Sequence, residues 1–268
     1  MTTSPWQKEW NYVLRQEHDF LRKGRLKKDS ALNRFLSGKV PEGLQNTLDT
    51  AFAKAFEMIF QKGTAFIEKT YDKEGIETQY KINEYSASLR NDRNSLHLFS
   101  RKAASSGNKN LLFSGVEGIG LGVLGIGLPD IPLFTAMLLK SVYEVALHFG
   151  YSYDTEEEKY FILKIIQGAL AHGRELDHYN SQLNDFIDDG LLPESYDETA
   201  QIRAAAETMS SELLYMKFLQ GVPVVGAVGG AYDVIYMQKV QKYARIKYHR
   251  RFLTDRMDGG TDNGSDLA

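Results

Sequence analysis

The chain has 268 residues, 43% of them hydrophobic and 25% charged, with a net charge of −3 and no cysteine. That length buries a sizeable core as one large domain or two small ones. The charge balance advertises no nucleic-acid binding, and the lack of cysteine excludes disulfides, thiolate nucleophiles and cysteine-ligated metals.

The opening residues, MTTSPWQKEWNYVLRQEHDFLRKG, contain no uninterrupted apolar run of the kind a secretion signal needs, so a cytoplasmic address is expected. Ser4 followed by Pro5 reads as an N-cap with proline at the first helical position, predicting a helix from Trp6 to about Lys23. A basic connector follows (Arg22, Lys23, Arg25, Lys27, Lys28), then a short helix from Ser30 to Ser37 and a long one opened by Pro41. In the long helix Leu44, Leu48, Phe52, Ala55, Phe56, Ile59, Phe60, Phe66 and Ile67 recur at three- and four-residue steps, the pattern of one core-facing stripe. Residues 76–104 are more polar but free of helix breakers, and SSGNKN (105–110) punctuates what comes next.

The segment 115–134, GVEGIGLGVLGIGLPDIPLF, holds six glycines between Gly115 and Gly127 and one carboxylate, Glu117. On a helix, Gly115, Gly118, Gly122 and Gly125 share one stripe. Six interior glycines cost about 5–6 kcal/mol against alanine, which makes sense where another backbone must come close. GVPVVGAVGGAYDVIYM (221–237) offers such a partner, with Gly226, Gly229, Gly230 and Asp233 on one face. Two further readings compete with a soluble helix pair. Residues 111–129 are long enough to span a bilayer, although the acidic residue and the glycines bring insertion near break-even, and reversible membrane contact also fits. A phosphate loop does not, because no strand precedes the glycines and no G-K-[ST] follows. After the glycines, Pro129 ends one helix, Asp130 serves as N-cap of the next, and Pro132 sits in its first turn.

The helix from about Ile131 places Lys140, Glu144 and His148 four apart, with Ser141 beside them. An i,i+4 charge ladder on a solvated or partly buried face is the plain reading. The chemical one is a metal-assisted hydrolase joining Glu144 and His148 to a histidine of AHGRELDH, where His172, Asp177 and His178 lie. Thr155 with Glu158, or Asp154 with Glu157, forms a capping box for the following helix. Ile202, Ala205, Ala206, Met209 and Leu213 mark another core-facing helix. Pro223 opens the last one, expected to run to about Phe252, with a polar, glycine-rich, disordered tail expected over 254–268. Its cations Lys239, Lys242, Arg245, Lys247, Arg250 and Arg251 either complement the helix dipole or form a basic face for anionic lipid or an acidic partner. In the second case Tyr243, Tyr248 and Phe252 act as interfacial aromatics, and the connector from Arg22 to Lys28 belongs to the same patch. No G-x-S-x-G, H-E-x-x-H or kinase signature is present. The expected architecture is one all-α domain of about nine or ten helices over residues 1–253, built around a glycine-rich helix pair.

GLPDIPLFTAMLLKSVYEVALHFGYSYDTEEEKYFILKII resembles the signature block of EcsC-like proteins: a glycine run, D-I-P, a helix, then an aromatic–Gly–aromatic turn before an acidic helix start. The likeness extends back through KVPEGLQNTLDTAFAKAFEMIF and forward through GVPVVGAVGGAYDVIYMQKVQKYARIKYHRRFL. The matching positions are Gly120, Gly122, Gly125, Pro129, Asp130, Pro132, Glu144, Gly150, Tyr151, Gly226 and Gly230. Asp233 stands where asparagine is expected, and FGYSYD replaces the commoner Y-G-Y-D. The family is named for the third product of an operon that also encodes an ABC transporter. The resemblance therefore implies a cytoplasmic or peripheral inner-membrane accessory protein, partnered by an anionic membrane surface or a transporter complex. It implies no catalytic residue, metal or cofactor.

Overall fold

Ser4 accepts a hydrogen bond from the Gln7 amide (3.1 Å), while the Gln7 side chain accepts one from the Ser4 amide (3.2 Å). This reciprocal box and Pro5 start the first helix at the expected place. The computed structural model describes residues 3–26, 42–62, 64–90, 92–109, 130–221 and 229–262. Its helices in chain order are α1 (Pro5–Leu26), α2 (Glu42–Lys62), α3 (Ala65–Glu68), α4 (Lys73–Arg90), α5 (Arg93–Lys109), α6 (Asp130–His148), α7 (Glu156–Leu170), α8 (Gly173–Asp189), α9 (Glu198–Gly221) and α10 (Gly229–Asp262). Among the described residues there is no strand, and the fold is all-α, as the sequence predicts. The helix expected over 30–37 and the glycine segments around 111–129 and 222–228 lie outside the described residues, so the glycine-faced pair does too.

Two elements differ from expectation. The long apolar stripe does not ride on one continuous helix. Leu48, Phe52, Ala55, Phe56 and Ile59 are buried on α2, which ends at Lys62, and buried Ile67 belongs to the single turn α3. The polar stretch 76–104 divides into α4 and α5. Aspartates set both starts: Asp72 accepts from the Gly75 amide (2.9 Å) and Asp92 from the Ser95 amide (2.8 Å). A short carboxylate that satisfies an orphan helix-start amide fixes where a new helix begins. The last helix also continues past Phe252 to Asp262.

α6, α7 and α10 form the centre. α6 packs on α2, α4, α5 and α10, while α7 contacts α8, α9 and α10. α7 is buried without interruption from Tyr160 to Leu170, the behaviour of an interior helix rather than an amphipathic one. It comes so close to α10 that a Cβ on Gly168 would stand 2.8 Å from the Tyr243 ring. This is a tyrosine ring laid on a helix backbone, at a glycine the sequence does not single out. α1 runs antiparallel to α10. The Trp6 indole donates to the Leu253 carbonyl (3.0 Å) at one end, and Phe20 stacks on Tyr243 at a centroid distance of 4.5 Å toward the other.

Candidate functional site

Three groups of side chains are candidates, and the α6 ladder comes first. Lys140 (5% exposed), Glu144 (2%), Ser141 and His148 are all buried, because α6 is enclosed by neighbours along its whole length. The Lys140 ammonium lies 3.9 Å from Glu144 and donates to the Thr70 carbonyl (3.0 Å). Burial pulls Lys140 below its ordinary pKa despite Glu144. Burial, reinforced by Lys102, takes His148 down to about 4, so its imidazole is neutral at pH 7. Beside the ladder Tyr153 donates to Glu68 (2.6 Å) and shares a 2.6 Å hydrogen bond with Tyr71. Tyr143 stacks on Tyr153 at 4.1 Å. The ladder is therefore buried, tied through Lys140 to the chain just after α3, and is not a solvated face. Gly150 closes α6 at φ +86, a left-handed position where an added Cβ would collide with the Tyr80 ring. Tyr151 then donates to Asp255 (2.6 Å) and lies under the Arg251 guanidinium at 4.3 Å. Both positions of the aromatic–glycine turn thus have an architectural reason.

The histidines of AHGRELDH do not join this spine. His172 faces Glu212 of α9 (Nδ1–Oε1 3.4 Å), and its Nε2 is 3.4 Å from the Lys239 ammonium. Since an ammonium only donates, Nε2 accepts and Nδ1 carries the proton toward Glu212. Tyr236 donates to the other Glu212 oxygen (2.9 Å). Asp177 pairs with Arg25 (2.8 Å), and His178 lies against the Tyr179 ring. No three His, Asp or Glu among the described residues could hold a metal ion, so Glu144 and His148 do not complete a metal site with His172 or His178. Glu212 and Tyr236 carry no motif, and only the folding of α9 and α10 onto the start of α8 brings them to His172.

The basic face expected of the last helix is largely turned inward. Lys247 is fully buried, paired with Glu17 and donating to Asn184 (2.7 Å). Arg250 pairs with Glu17 (2.9 Å), and Arg251 with Glu158 (2.7 Å). Tyr243, Tyr248 and Phe252 are buried too, so none is an interfacial aromatic. The reason lies on other helices, where apolar neighbours seal in carboxylates that need counter-charges. Burial pushes Glu17 up, but Lys247 and Arg250 outweigh it and hold its pKa below the usual carboxylate value. Burial takes Lys247 down to about 8 against the pull of Glu17, leaving both partners charged at neutral pH. Glu158 gives its amide to Thr155 as a cap (3.2 Å), but its side chain does not return to complete the box. It accepts from Tyr248 and Arg251 instead, and burial raises its pKa.

What remains outward is a different basic surface. α1 turns both glutamates in, with Glu9 (0% exposed) bound by Arg93 at 3.0 Å and His97 at 2.7 Å. Its exterior displays Lys8, Arg15, His18, Arg22, Lys23 and Arg25. Arg22 pairs with Asp19 (3.2 Å) and Arg25 with Asp177. The side chains of Lys8, Arg15 and Lys23 make no ion pair or hydrogen bond among the described residues, nor do those of Lys242 and Arg245 of the adjoining α10. An open hollow of about 450 Å³ runs along this side, lined by Asn11, Leu14, Arg15, His18 and Asp19. No helix among the described residues is long and apolar enough to cross a membrane.

No curated protein and no solved structure matches the chain. The sequence model of the EcsC protein family does match, over residues 7–253, from the first turns of α1 to the part of α10 that pairs with α1 and α7. Since that match takes in nearly every helix described above, the chain belongs to the EcsC protein family.

Proposed function

We propose that this protein is a non-enzymatic accessory factor that attaches peripherally to an anionic membrane surface, beside an ABC transporter or secretion complex. The observation that carries the reading is the sorting of charge on α1. Glu9 and Glu17 are spent inside on Arg93, His97, Lys247 and Arg250, while Lys8, Arg15 and Lys23 face outward without acidic partners among the described residues. A helix whose two glutamates are internal, and whose one outward carboxylate, Asp19, is taken up by Arg22, presents a cationic exterior although the chain as a whole is acidic. Near an anionic bilayer each such cation contributes about 1 kcal/mol, falling off within a Debye length. The transporter connection rests on family membership and on the operon for which the family is named.

Flotation with phosphatidylglycerol vesicles tests the proposal. The wild-type chain should float with vesicles at low salt and be released as salt rises, and K8E/R15E should remain at the bottom of the gradient while keeping its helical circular dichroism. A wild-type chain that stays unbound at low salt removes the membrane from the account.

A further inference from the structure

α4 is amphipathic the wrong way round. Toward the core it turns Asn83 and Ala87, both buried, together with Tyr80, whose ring lies against Phe99 of α5. On the opposite side it displays Ile82 (58% exposed), Tyr85 (69%) and Leu89 (69%). At i, i+3 and i+7 they fall within about 60° of the helix circumference and form one stripe. They are half of the six large apolar side chains exposed among the described residues. Single exposed apolar residues are ordinary, but folding alone does not favour a helix that buries an asparagine and shows water a whole apolar stripe. Cations border the stripe. Lys81 on one side and Arg90 on the other are exposed, and their side chains make no ion pair or hydrogen bond among the described residues. The carboxylates of α4 are elsewhere: Glu84 is paired with Arg256 of α10, and Glu74 and Glu77 lie in the first two turns, ahead of the stripe. Arg93, three residues past Arg90, holds Glu9 at 3.0 Å, so the end of the stripe adjoins α1 and its outward cations.

We propose that Ile82, Tyr85 and Leu89 dip into the interfacial region of an anionic lipid bilayer, with Lys81 and Arg90 meeting its headgroups. A helix lying in the plane of that interface needs this sorting: aliphatic side chains toward the acyl chains, an aromatic with a polar tip at headgroup level, and cations along the borders. A second copy of the chain fits less well, because three side chains supply far less than the roughly 800 Å² per partner that a stable dimer buries. The inference rests on the membrane reading and deepens it. The α1 cations draw the chain to the surface, and the α4 stripe decides which side of the fold enters it.

The chain has no cysteine, so Y85C in the full chain takes a single NBD label, with L191C, exposed beyond α8, as control. With phosphatidylglycerol vesicles at low salt, the Y85C label should shift to the blue, brighten and be quenched by lipids brominated on the acyl chain. The L191C label should do none of these. I82Q/L89Q should weaken vesicle affinity by about tenfold or more. Its stability in urea should match wild type, since neither side chain belongs to the core. A wild-type chain that floats while the Y85C label stays dark and I82Q/L89Q binds as tightly as wild type overturns this inference and leaves the membrane reading standing. A wild-type chain that never floats overturns both. A Y85C label already blue-shifted without vesicles also overturns the inference, because the stripe is then covered by a second copy, seen as a dimer in sedimentation, or by the chain itself.

Discussion

Removal of the Lys247 ammonium separates a structural cation from a membrane-contacting one. Lys247 has no exposed surface, and its nitrogen serves Glu17 of α1 and Asn184 of α8. Lys247→Met keeps the volume and deletes the charge, leaving Glu17 inside with Arg250 at 2.9 Å as its remaining cation. Breaking a buried pair from one side costs about 3–5 kcal/mol. The retained arginine favours the lower end, so a loss of about 3 kcal/mol is expected. Glu17→Gln should cost a similar amount, because it leaves Lys247 buried and uncompensated. The double variant should lose less than the sum of the singles, with a coupling of about 2 kcal/mol, since both charges then leave the interior together. Urea unfolding with a common m-value reads all four corners of the cycle. If Lys247→Met lost under about 1 kcal/mol and the cycle closed additively, Lys247 would not be an interior counter-charge. It would then rejoin the outward basic face.

Two further outcomes test the sites just described. Thr155→Ala should cost about 1 kcal/mol, as for a lost helix cap, and Glu158→Ala about 3 kcal/mol or more, as for a broken interior pair with Arg251; equal losses in urea unfolding would mean that Glu158 acts as a capping residue after all. His148 is held near 4 in the folded chain against an ordinary value of 6.5. Below pH 6.5 the unfolded chain therefore binds a proton the folded one refuses, and stability falls by about 1.4 kcal/mol per pH unit down to about pH 4. In His148→Gln that part of the slope should vanish, and a wild-type C2–H resonance that is absent in His148→Gln yet still titrates near 6.5 in the folded chain would contradict the assignment.

The helical class and most of the core were legible in the sequence because both depend on local signals. The Ser4–Pro5 start, the periodicity of Leu48 to Ile59, and Ile202, Ala205, Ala206 and Met209 all act within a few turns of chain. The starts at Asp72 and Asp92 were missed because an aspartate amid polar residues gives no visible break until its side chain takes the amide three residues on. The direction of the α10 cations was not legible at all. A run such as KYARIKYHRRF reads the same whether its charges meet lipid or meet Glu17 and Glu158, and those glutamates are encoded far away, on α1 and α7. Glu158 shows the same limit from the other side, since its spacing from Thr155 satisfies the capping rule while its side chain answers to residues on the last helix.

That long-range pairing orders events during synthesis. The ribosome releases Glu17 and Glu158 well before Lys247 and Arg251, and an uncompensated carboxylate resists leaving water. The nascent chain can form its early helices but cannot seal them together until the closing segment arrives with the missing charge. Its final packing thus waits until α10 has been made, and α10 acts as the latch that permits it.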